Sequence, residues 1–584
     1  MKRRRISALV FCCLLAAGCA EGRTQDIASQ SAAGEYAIAG TVVDSASREP
    51  VSRVSVAILS TPAGQTLETV LSEPDGHFAF KGLAAGKYSL TASRTGYRPA
   101  YFDQHEHFNS AIVTGEGQDT ENLIFPITPS AALRISVTDD FGEPVEGARI
   151  YLFRRVHWSG MSEQLIPVVF PPIGEAAGPR AKPTNLASTN DTGEERIYNL
   201  EPGDYYAAVS AHPWYALNNI AEDGTPPVVH SANPVLDVAY PTTYFDGATS
   251  EAEASPIVLG PGNHEHISIV LHAVPALRIR LPTLQASEGE HQRPYERPPE
   301  LLPIVFGAPM EQPERFSVDE TANGDTLVTG LAPSEYEMRA SEPRRRVLLS
   351  LAHSQDISPS AGSGAATLTV KIQGPAGVTL PPDARLSLSW NDKTHPRQAL
   401  EAEVQKNACE FEIVPQGVWE LSLVSQRLSF PVVSTTVAGE THAGNLLRVG
   451  DKPIAVDLSV RAASTQVEGI AQKDGKGKAG VLVLLVPENA GSHTDLFRRD
   501  QSDSDGSFTF RSVAPGAYTA FAIEDGWEVE WQRPEILAHY LSKGVAVNIP
   551  DGVIPNYRLP TAVAIQPRWQ TPSGTALPGT SRTP

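Results

Sequence analysis

Apolar and polar residues alternate with a period of two in many short segments of this chain. In residues 75–80 (DGHFAF) two aromatic residues follow an Asp-Gly pair at alternate positions, and residues 88–92 (YSLTA) continue the alternation. Asp-Gly suits the positive φ values of a tight hairpin turn, and a period of two gives each strand one apolar face. The pattern therefore predicts antiparallel strands that bury one face in a core.

This strand–turn–strand pattern occurs five times. Residues 505–522 repeat the first copy without a gap, and three more divergent copies begin near residues 193, 324 and 407. An aromatic residue that should point into the core stands at the same place in each copy: Tyr88, Tyr205, Tyr336, Trp419 and Tyr518. Cys409 occupies the position of the inward-facing Phe78 and Phe508, so we expect its thiol to be buried. Repetition of this kind predicts tandem modules with one fold.

Each repeat also has an upstream half, clearest in residues 38–44 (IAGTVVD) followed by Pro50-Val51, with counterparts at 133–139 and 467–470. The two halves together resemble the carboxypeptidase regulatory-like domain, a transthyretin-like sandwich that is also grouped with carbohydrate-binding-like folds. Residues 36–95 match it well, 465–524 nearly as well, and the middle copies less. The resemblance implies an all-β protein, a tandem array of about five Ig-like or transthyretin-like antiparallel β-sandwich modules, with carbohydrate binding among the implied functions.

Pro-rich segments separate the repeats and set the expected boundaries. The chain divides into a signal peptide of lipoprotein type (1–19), a tether (20–34), module 1 of the regulatory-like kind (35–131), module 2 with a long insertion (132–274), module 3 (275–358), module 4 (365–454), module 5 of the regulatory-like kind (455–565) and a disordered tail (566–584). Short linkers of this kind predict a rod of independent beads that share little core.

The N-terminus has the pattern of an export signal. Four basic residues, Lys2 to Arg5, precede a twelve-residue apolar run at 6–17, which is too short for a permanent membrane span. The run ends in Ala17-Gly18-Cys19, which resembles the lipobox of bacterial lipoproteins, with Cys19 as the lipid attachment site. Ala20 after the cysteine implies the outer membrane in that family. The alternative is ordinary cleavage after Ala20, which would leave a soluble secreted or periplasmic protein.

Charge and cysteine content narrow the partners further. The chain has 584 residues with 67 acidic and 47 basic ones, a formal net charge of −20. Nucleic acid needs a basic surface, so this class of partner is excluded, and membrane contact is expected through the N-terminal lipid only. Three of the four cysteines lie in the signal segment, and Cys409 alone cannot form an intramolecular disulfide.

The sequence shows no catalytic motif and predicts neither a metal site nor a cofactor. No histidine has Glu three positions later, as zinc carboxypeptidases require, and we expect the His-Glu-His segments at 105–107 and 264–266 to be solvated loops. Residues 475–480 satisfy GxGxxG but should join two strands, so we interpret them as a turn. The carboxylates of Asp500, Asp503 and Asp505 do not fit a calcium loop and are expected to be solvated at a turn.

Trp527 and Trp531 are the candidate ligand-binding residues. They lie just beyond the strand of the last core tyrosine, in DGWEVEWQ at 525–532, where aromatic rings could stack on a sugar and carboxylates could bind its hydroxyl groups. The alternative interpretation is that both rings cap the last sandwich.

Three functions remain open. The first is a non-catalytic cell-envelope protein that acts as a binding or structural module for an envelope glycan. The second is an accessory subunit of an envelope transporter or protease, which binds protein through exposed strand edges. The third is a cryptic hydrolase with its site in a long inter-strand segment such as 210–260.

Overall fold

The structure is a computed structural model, and it describes residues 34–156, 164–170, 186–216, 235–281, 284–285, 291–292, 300–310, 316–321, 325–341, 344–357, 365–374, 380–390, 399–425, 429–450, 452–491, 493–550 and 555–569. Regular structure in these residues is almost all β-strand, arranged in separate, mostly antiparallel sheets. This confirms the predicted all-β array of sandwich modules. The signal peptide with Cys19, residues 20–33 of the tether and residues 570–584 of the tail lie outside the described residues.

The first two modules contain strands β1 to β21. In module 1, β1 to β10 are Tyr36–Asp44, Ser55–Ser60, Thr66–Leu71, His77–Leu83, Gly86–Ser93, Ala100–Tyr101, Gln104–His105, Phe108–Asn109, Ile112–Thr114 and Leu123–Ile127. In module 2, β11 to β21 are Ala131–Asp139, Arg149–Val156, Gln164–Pro167, Leu186–Ser188, Glu194–Leu200, Gly203–Ser210, Val238–Ala239, Thr243–Tyr244, Ile257–Leu259, His264–Leu271 and Val274–Pro275, with a 3₁₀ turn at Glu251–Glu253.

The next two modules contain strands β22 to β41. In module 3, β22 to β31 are Leu277–Leu281, Leu284–Gln285, His291–Gln292, Glu300–Val305, Ala308–Pro309, Ser317–Glu320, Thr326–Leu331, Ser334–Ser341, Arg344–Leu351 and Gln355–Asp356. In module 4, β32 to β41 are Ala365–Gln373, Arg385–Trp390, Ala399–Glu403, Ala408–Pro415, Gly417–Val424, Ser429–Phe430, Val432–Val437, Glu440–Ala443, Leu446–Val449 and Ile454–Val460.

In module 5 the described residues form nine strands and a helix. Strands β42 to β50 are Thr465–Lys473, Lys476–Gly477, Leu482–Pro487, Arg498–Gln501, Ser507–Val513, Gly516–Ile523, Val545–Ile549, Asn556–Arg558 and Val563–Gln566, helix α1 is Pro534–Leu541, and 3₁₀ turns lie at Thr494–Leu496 and Gly526–Glu528.

One sheet of every module is built on the first strand of that module. In module 1, β1 lies between β4, to which it is antiparallel, and β10, to which it is parallel. The same order recurs around β11, β22, β32 and β42. The facing sheet pairs the strand of the core aromatic residue with an upstream neighbour: β5 with β2, β16 with β12, β29 with β25, β36 with β33 and β47 with β44. The five modules therefore share one topology.

The five core aromatic residues occupy equivalent positions. All five are buried. Each donates a hydrogen bond from its ring group to the carbonyl oxygen four residues earlier: Tyr88 to Ala84 (3.1 Å), Tyr205 to Glu201 (2.6 Å), Tyr336 to Ala332 (3.0 Å), Trp419 to Pro415 (2.9 Å) and Tyr518 to Ala514 (2.9 Å). The indole of Trp419 thus takes over both the packing and the hydrogen bond of the phenol. This confirms the sequence alignment of the repeats.

Cys409 lies in the core of module 4, as predicted. Its register partner on β32 is Val370, whereas the equivalent Phe78 of module 1 faces Gly40. A small thiol opposite valine fills the space that a phenyl ring opposite glycine fills in module 1. Burial raises the pKa of the Cys409 thiol to about 11.

The turn before β4 of module 1 needs glycine for two reasons. Gly76 has a φ of 78°, and a Cβ atom there would lie 2.6 Å from the carbonyl oxygen of Val42. Gly193 and Gly506 repeat this geometry in modules 2 and 5, with φ values of 70° and 81° and an approach of 2.5 Å to the first strand. The turn therefore packs directly onto the first strand in these modules.

The prediction of independent beads is wrong, because neighbouring modules share contacts. Phe306 of module 3 packs edge-on against Phe153, Tyr206 and Tyr244 of module 2, with ring centroids 5.0 to 5.7 Å apart, in one buried cluster. At the junction of modules 1 and 2, the Arg98 guanidinium binds the Glu201 carboxylate at 3.0 Å. The Val432 amide of module 4 donates to the Asp495 carboxylate of module 5 at 2.7 Å. Modules 1 and 5 also meet, as described below.

Two expected boundaries shift. Strand β41 pairs with β32 and contributes Leu458 to the core of module 4, so that module extends to about residue 460 rather than 454. The expected tail begins later than residue 566, because Gln566 is buried and the Trp569 amide donates to the Tyr540 hydroxyl at 2.7 Å. The period of apolar and polar residues could not reveal either contact, because the residues that meet are distant in sequence.

Candidate functional site

The two ends of the described chain meet at an edge strand of module 1. The loop at 502–504 of module 5 lies along β9, and the Ser504 amide donates to the Ala111 carbonyl at 2.9 Å. In return, the Ala111 amide donates to the Asp503 carboxylate and the Val113 amide to the Ser504 hydroxyl, both at 2.8 Å. Module 5 therefore satisfies main-chain groups that an uncovered edge would leave to water. We name this contact between modules 1 and 5 the clasp.

An ion pair lies at the centre of the clasp. The Lys87 ammonium on β5 of module 1 donates to the Asp503 carboxylate at 2.6 Å and to the Ser507 hydroxyl at 2.8 Å. Burial raises the pKa of Asp503, and the Lys87 charge opposes that shift. Since only 15% of the Asp503 side chain is exposed, loss of the lysine would leave a poorly solvated carboxylate.

Ser110 joins several polar groups of the two modules. The side chain is fully buried, and its hydroxyl lies 2.6 Å from the Asp103 carboxylate and 2.8 Å from the Ser502 carbonyl, either of which can accept its proton. The Gly480 amide and the Gln501 side-chain amide both donate to the same oxygen, at 3.1 and 2.9 Å. A buried network that is satisfied in this way fixes one docking geometry.

Aromatic side chains form the apolar part of the clasp. The His105 ring of module 1 stacks on Trp527 of module 5 with centroids 5.3 Å apart and planes 9° from parallel, and Phe108 lies 5.4 Å from the same indole. The Trp527 Nε1 group donates to the Gly480 carbonyl at 3.0 Å. Arg499 lies over the Phe108 ring and pairs with Glu106 at 3.1 Å.

A separate cleft lies on module 1 at the start of β2 and the end of β5. It has a volume of about 660 Å³ and is lined by Arg53, Ser55, Ser93, Arg94, Thr95 and Pro99. Ser55 and Ser93 are direct cross-strand partners. Three hydroxyl groups and two guanidinium groups thus line one open surface, which suits a polar ligand.

The sheet order of module 1, its turn glycine and its core tyrosine together define a recognisable domain. Residues 37–123 match the sequence model of the carboxypeptidase regulatory-like domain. The match covers module 1, which we call the regulatory-like domain below. Both the cleft and the module 1 side of the clasp belong to this domain. The family is of a non-catalytic kind, and no catalytic family is indicated for the chain.

Comparisons with curated proteins and with solved structures add little to this match. Curated proteins gave no significant sequence match. Among solved structures, the TIE protein of Bacillus anthracis is 11% identical, with 88% of this chain and 68% of that chain covered and a TM-score of 0.14. The minor pilin GBS52 of Streptococcus agalactiae is 11% identical (43% and 100% covered, TM-score 0.20), and the shaft pilin SpaA of Lactobacillus rhamnosus GG is 9% identical (41% and 97% covered, TM-score 0.17). Scores this low support no further inference about this chain.

Both candidate tryptophans lie in one apolar cluster on the outer face of module 5. Trp527 is 8% exposed and covered by the regulatory-like domain, and Trp531 is 1% exposed and lies against Phe497 at 5.6 Å. Tyr540 from helix α1 belongs to the same cluster. This placement fits the alternative interpretation, a cap on the last sandwich. Ligand binding by these two rings would require them to be uncovered, and it stays a prediction.

Several expectations about polar residues need correction. Asp503 is not solvated, because the regulatory-like domain covers it, and burial raises the pKa of the neighbouring Asp500 to about 7. The first His-Glu-His segment, at 105–107, lies in the clasp rather than in solvent. The second, at 264–266, is exposed as expected but lies on strand β20 rather than in a loop. The GxGxxG segment at 475–480 connects β42 to β44: Gly475 lies in a tight turn, and Lys476–Gly477 form the short strand β43 that pairs back onto β42. Within the described ranges, no group of three or more His, Cys, Asp and Glu side chains could hold a metal ion.

Sequence reasoning missed the clasp as a site. Its residues come from segments about 400 positions apart, such as Lys87 and Asp503, and neither segment has a motif. The only available signal was that Lys87 faces outward on its strand in an acidic chain, which is a weak one.

Proposed function

We propose that this chain is an exported, non-catalytic scaffold protein of the cell envelope, anchored by a lipid on Cys19, whose regulatory-like domain binds an envelope glycan. The observation that carries the structural part is the clasp. A binding array whose terminal modules dock on each other presents its surfaces in a fixed arrangement, whereas a string of free beads does not.

The scaffold role predicts that the clasp holds the array together in solution. Lys87→Ala removes the central cation, while Lys81→Ala removes an exposed lysine from the other sheet of module 1 and serves as the control. We expect small-angle X-ray scattering to show a larger maximum dimension for Lys87→Ala at low ionic strength and no change for Lys81→Ala. The scaffold proposal would be overturned if the parent and both variants had equal maximum dimensions and the Ser504 amide of the parent were unprotected in hydrogen exchange.

The envelope location is supported by the signal pattern and the Cys19 lipobox. No helix among the described residues is long and apolar enough to cross a membrane. Cys19→Ser should move the protein from the membrane fraction to the soluble one and abolish labelling by a fatty-acid analogue. Cys13→Ser, in the same signal segment, is the control and should change neither. Membrane association that persists in Cys19→Ser would reject the lipid anchor and favour the secreted or periplasmic alternative.

The absence of catalysis is tested directly. The purified chain without its signal is assayed against peptide, ester and glycoside panels with and without Zn²⁺. Reproducible turnover would favour the cryptic hydrolase instead.

A second candidate function, an accessory protein-interaction subunit, is favoured by an exposed edge strand of module 1. Strand β3 ends its sheet and is exposed along almost its whole length, with Leu67 and Leu71 at 50% and 63% exposure. Exposed apolar edges pair readily with strands of other proteins. If an envelope protein adds a strand there, Leu71→Lys should abolish its recovery in a pull-down, and Lys81→Ala should retain it.

A further inference from the structure

The cleft of the regulatory-like domain combines positive charge with hydroxyl groups in an otherwise acidic protein. Its lining includes Arg53, Ser55, Ser93, Arg94 and Thr95. The full chain carries a net charge of −20. The two arginines are therefore a local departure from the negative charge of the whole molecule, and their positive charge sets which ligands this surface attracts.

Neither guanidinium of the cleft is neutralised by an acidic side chain among the residues that the structure describes. The adjacent Arg98, by contrast, pairs with Glu201 at 3.0 Å, and Arg134 pairs with Glu194 at 3.6 Å. Structural arginines in this chain commonly bind carboxylates of their own protein. Arg53 and Arg94 are both exposed and so keep their donors available for an external anion.

Arg94 is also held in place. Its guanidinium lies over the Tyr97 ring, 5.5 Å from the centroid. The Tyr97 hydroxyl in turn donates to the Asp44 carboxylate at 3.1 Å. A cation fixed on an aromatic ring loses less freedom when it binds a ligand, so the site is partly preorganised.

We infer that this cleft binds a carboxylate-bearing glycan, with Arg53 and Arg94 binding the acid group and Ser55, Ser93 and Thr95 binding sugar hydroxyls. The guanidinium fork matches the two oxygens of a carboxylate, and a short acidic oligosaccharide fits a cleft of about 660 Å³. The inference rests on glycan binding in the proposed function and deepens it by naming the ligand class. A phosphate-bearing ligand shares the same chemistry, and the test separates the two.

The test uses the full chain without its signal and four variants. Calorimetric titration with trigalacturonic acid, maltotriose and inorganic phosphate measures the three dissociation constants at low ionic strength. We expect the acidic trisaccharide to bind at least about tenfold more tightly than the neutral one, the ratio that one charge-assisted hydrogen bond supplies. Its affinity should fall as salt is added.

The variants locate the binding. Arg94→Gln and Arg53→Gln should each raise the dissociation constant for trigalacturonic acid about tenfold or more. Ser93→Ala should raise it less. Lys81→Ala removes the same charge from the other sheet and should leave the affinity unchanged. Both glutamine variants alter exposed side chains, and unchanged circular dichroism confirms that they fold.

The outcomes separate the inference from the proposed function. Equal binding of acidic and neutral sugars, or arginine variants that bind like the parent, would overturn the assignment of an acidic glycan to this cleft while leaving glycan binding intact. If inorganic phosphate binds more tightly than trigalacturonic acid, the assignment of a carboxylate-bearing ligand is overturned in favour of a phosphate-bearing one. No binding of any sugar would overturn both.

Discussion

The most informative perturbation is Tyr88→Ala, because Tyr88 links the core of module 1 to the clasp. The ring lies between the sheets and donates to the Ala84 carbonyl at 3.1 Å. Its strand, β5, carries Lys87 and pairs with β9, the strand that module 5 covers. Truncation of a buried aromatic residue costs about 3–5 kcal/mol, and the lost hydrogen bond adds about 1 kcal/mol. This approaches the whole stability of a small domain, so module 1 should unfold.

Unfolding of module 1 should be visible in module 5. The Ser504 amide donates to the Ala111 carbonyl of module 1, so it should exchange faster in Tyr88→Ala. The Gly480 amide donates both to Ser110 of module 1 and to the Ser502 carbonyl of module 5, so it should keep part of its protection. Strands β44 and β47 should keep their protection, because their hydrogen bonds lie within module 5. Hydrogen exchange with mass spectrometry resolves these segments. The matched variant Tyr88→Phe keeps the ring and should lose only about 1 kcal/mol.

Two results would refute this reasoning. Loss of protection confined to residues 35–130 would mean that the clasp does not form in solution. Uniform loss along the whole chain would mean that the modules unfold as one unit rather than as linked ones.

Three further predictions concern stability and reactivity. The Cys409 thiol, whose pKa burial raises to about 11, should resist alkylating reagents near neutral pH until the protein is denatured, and rapid labelling of the folded chain would contradict its placement. Gly76→Ala should destabilise module 1 by about 1–3 kcal/mol in denaturant titrations, because of its positive φ and the contact with the Val42 carbonyl. Gly96→Ala has a similar φ but open space around the new methyl group, so it should cost less, and equal losses would reject the contact argument. Burial raises the pKa of the Asp500 carboxyl from 3.8 to about 7, so the folded state holds a proton that the unfolded state releases. Through Asp500, the free energy of unfolding of module 5 should therefore fall as pH rises from about 4 to about 7, by at most about 1.4 kcal/mol per pH unit. Asp500→Asn should reduce this slope and leave the part due to Asp495 and Asp503, whose pKa values burial also raises. A slope that is unchanged in the variant would assign it to those groups instead of Asp500.

The sequence determined the modules because their rules are local. An Asp-Gly turn, alternating apolar positions and one core aromatic residue lie within about twenty positions of each other, and they specify the same strand pairing wherever they occur. The equivalence of Trp419 with the core tyrosines and the inward register of Cys409 followed from this alignment. Both could be read without knowledge of how the modules contact one another.

Only the tertiary structure decided how the modules contact one another. Lys87 and Asp503 lie more than 400 positions apart, and an outward-facing side chain has the same sequence signature whether it faces water or another module. The burial of Trp527 depends on His105 and Phe108 of module 1 for the same reason. Period and turn chemistry fix which face of a strand is buried, but the partner of an exposed face is set by the packing of whole modules, which no local pattern records.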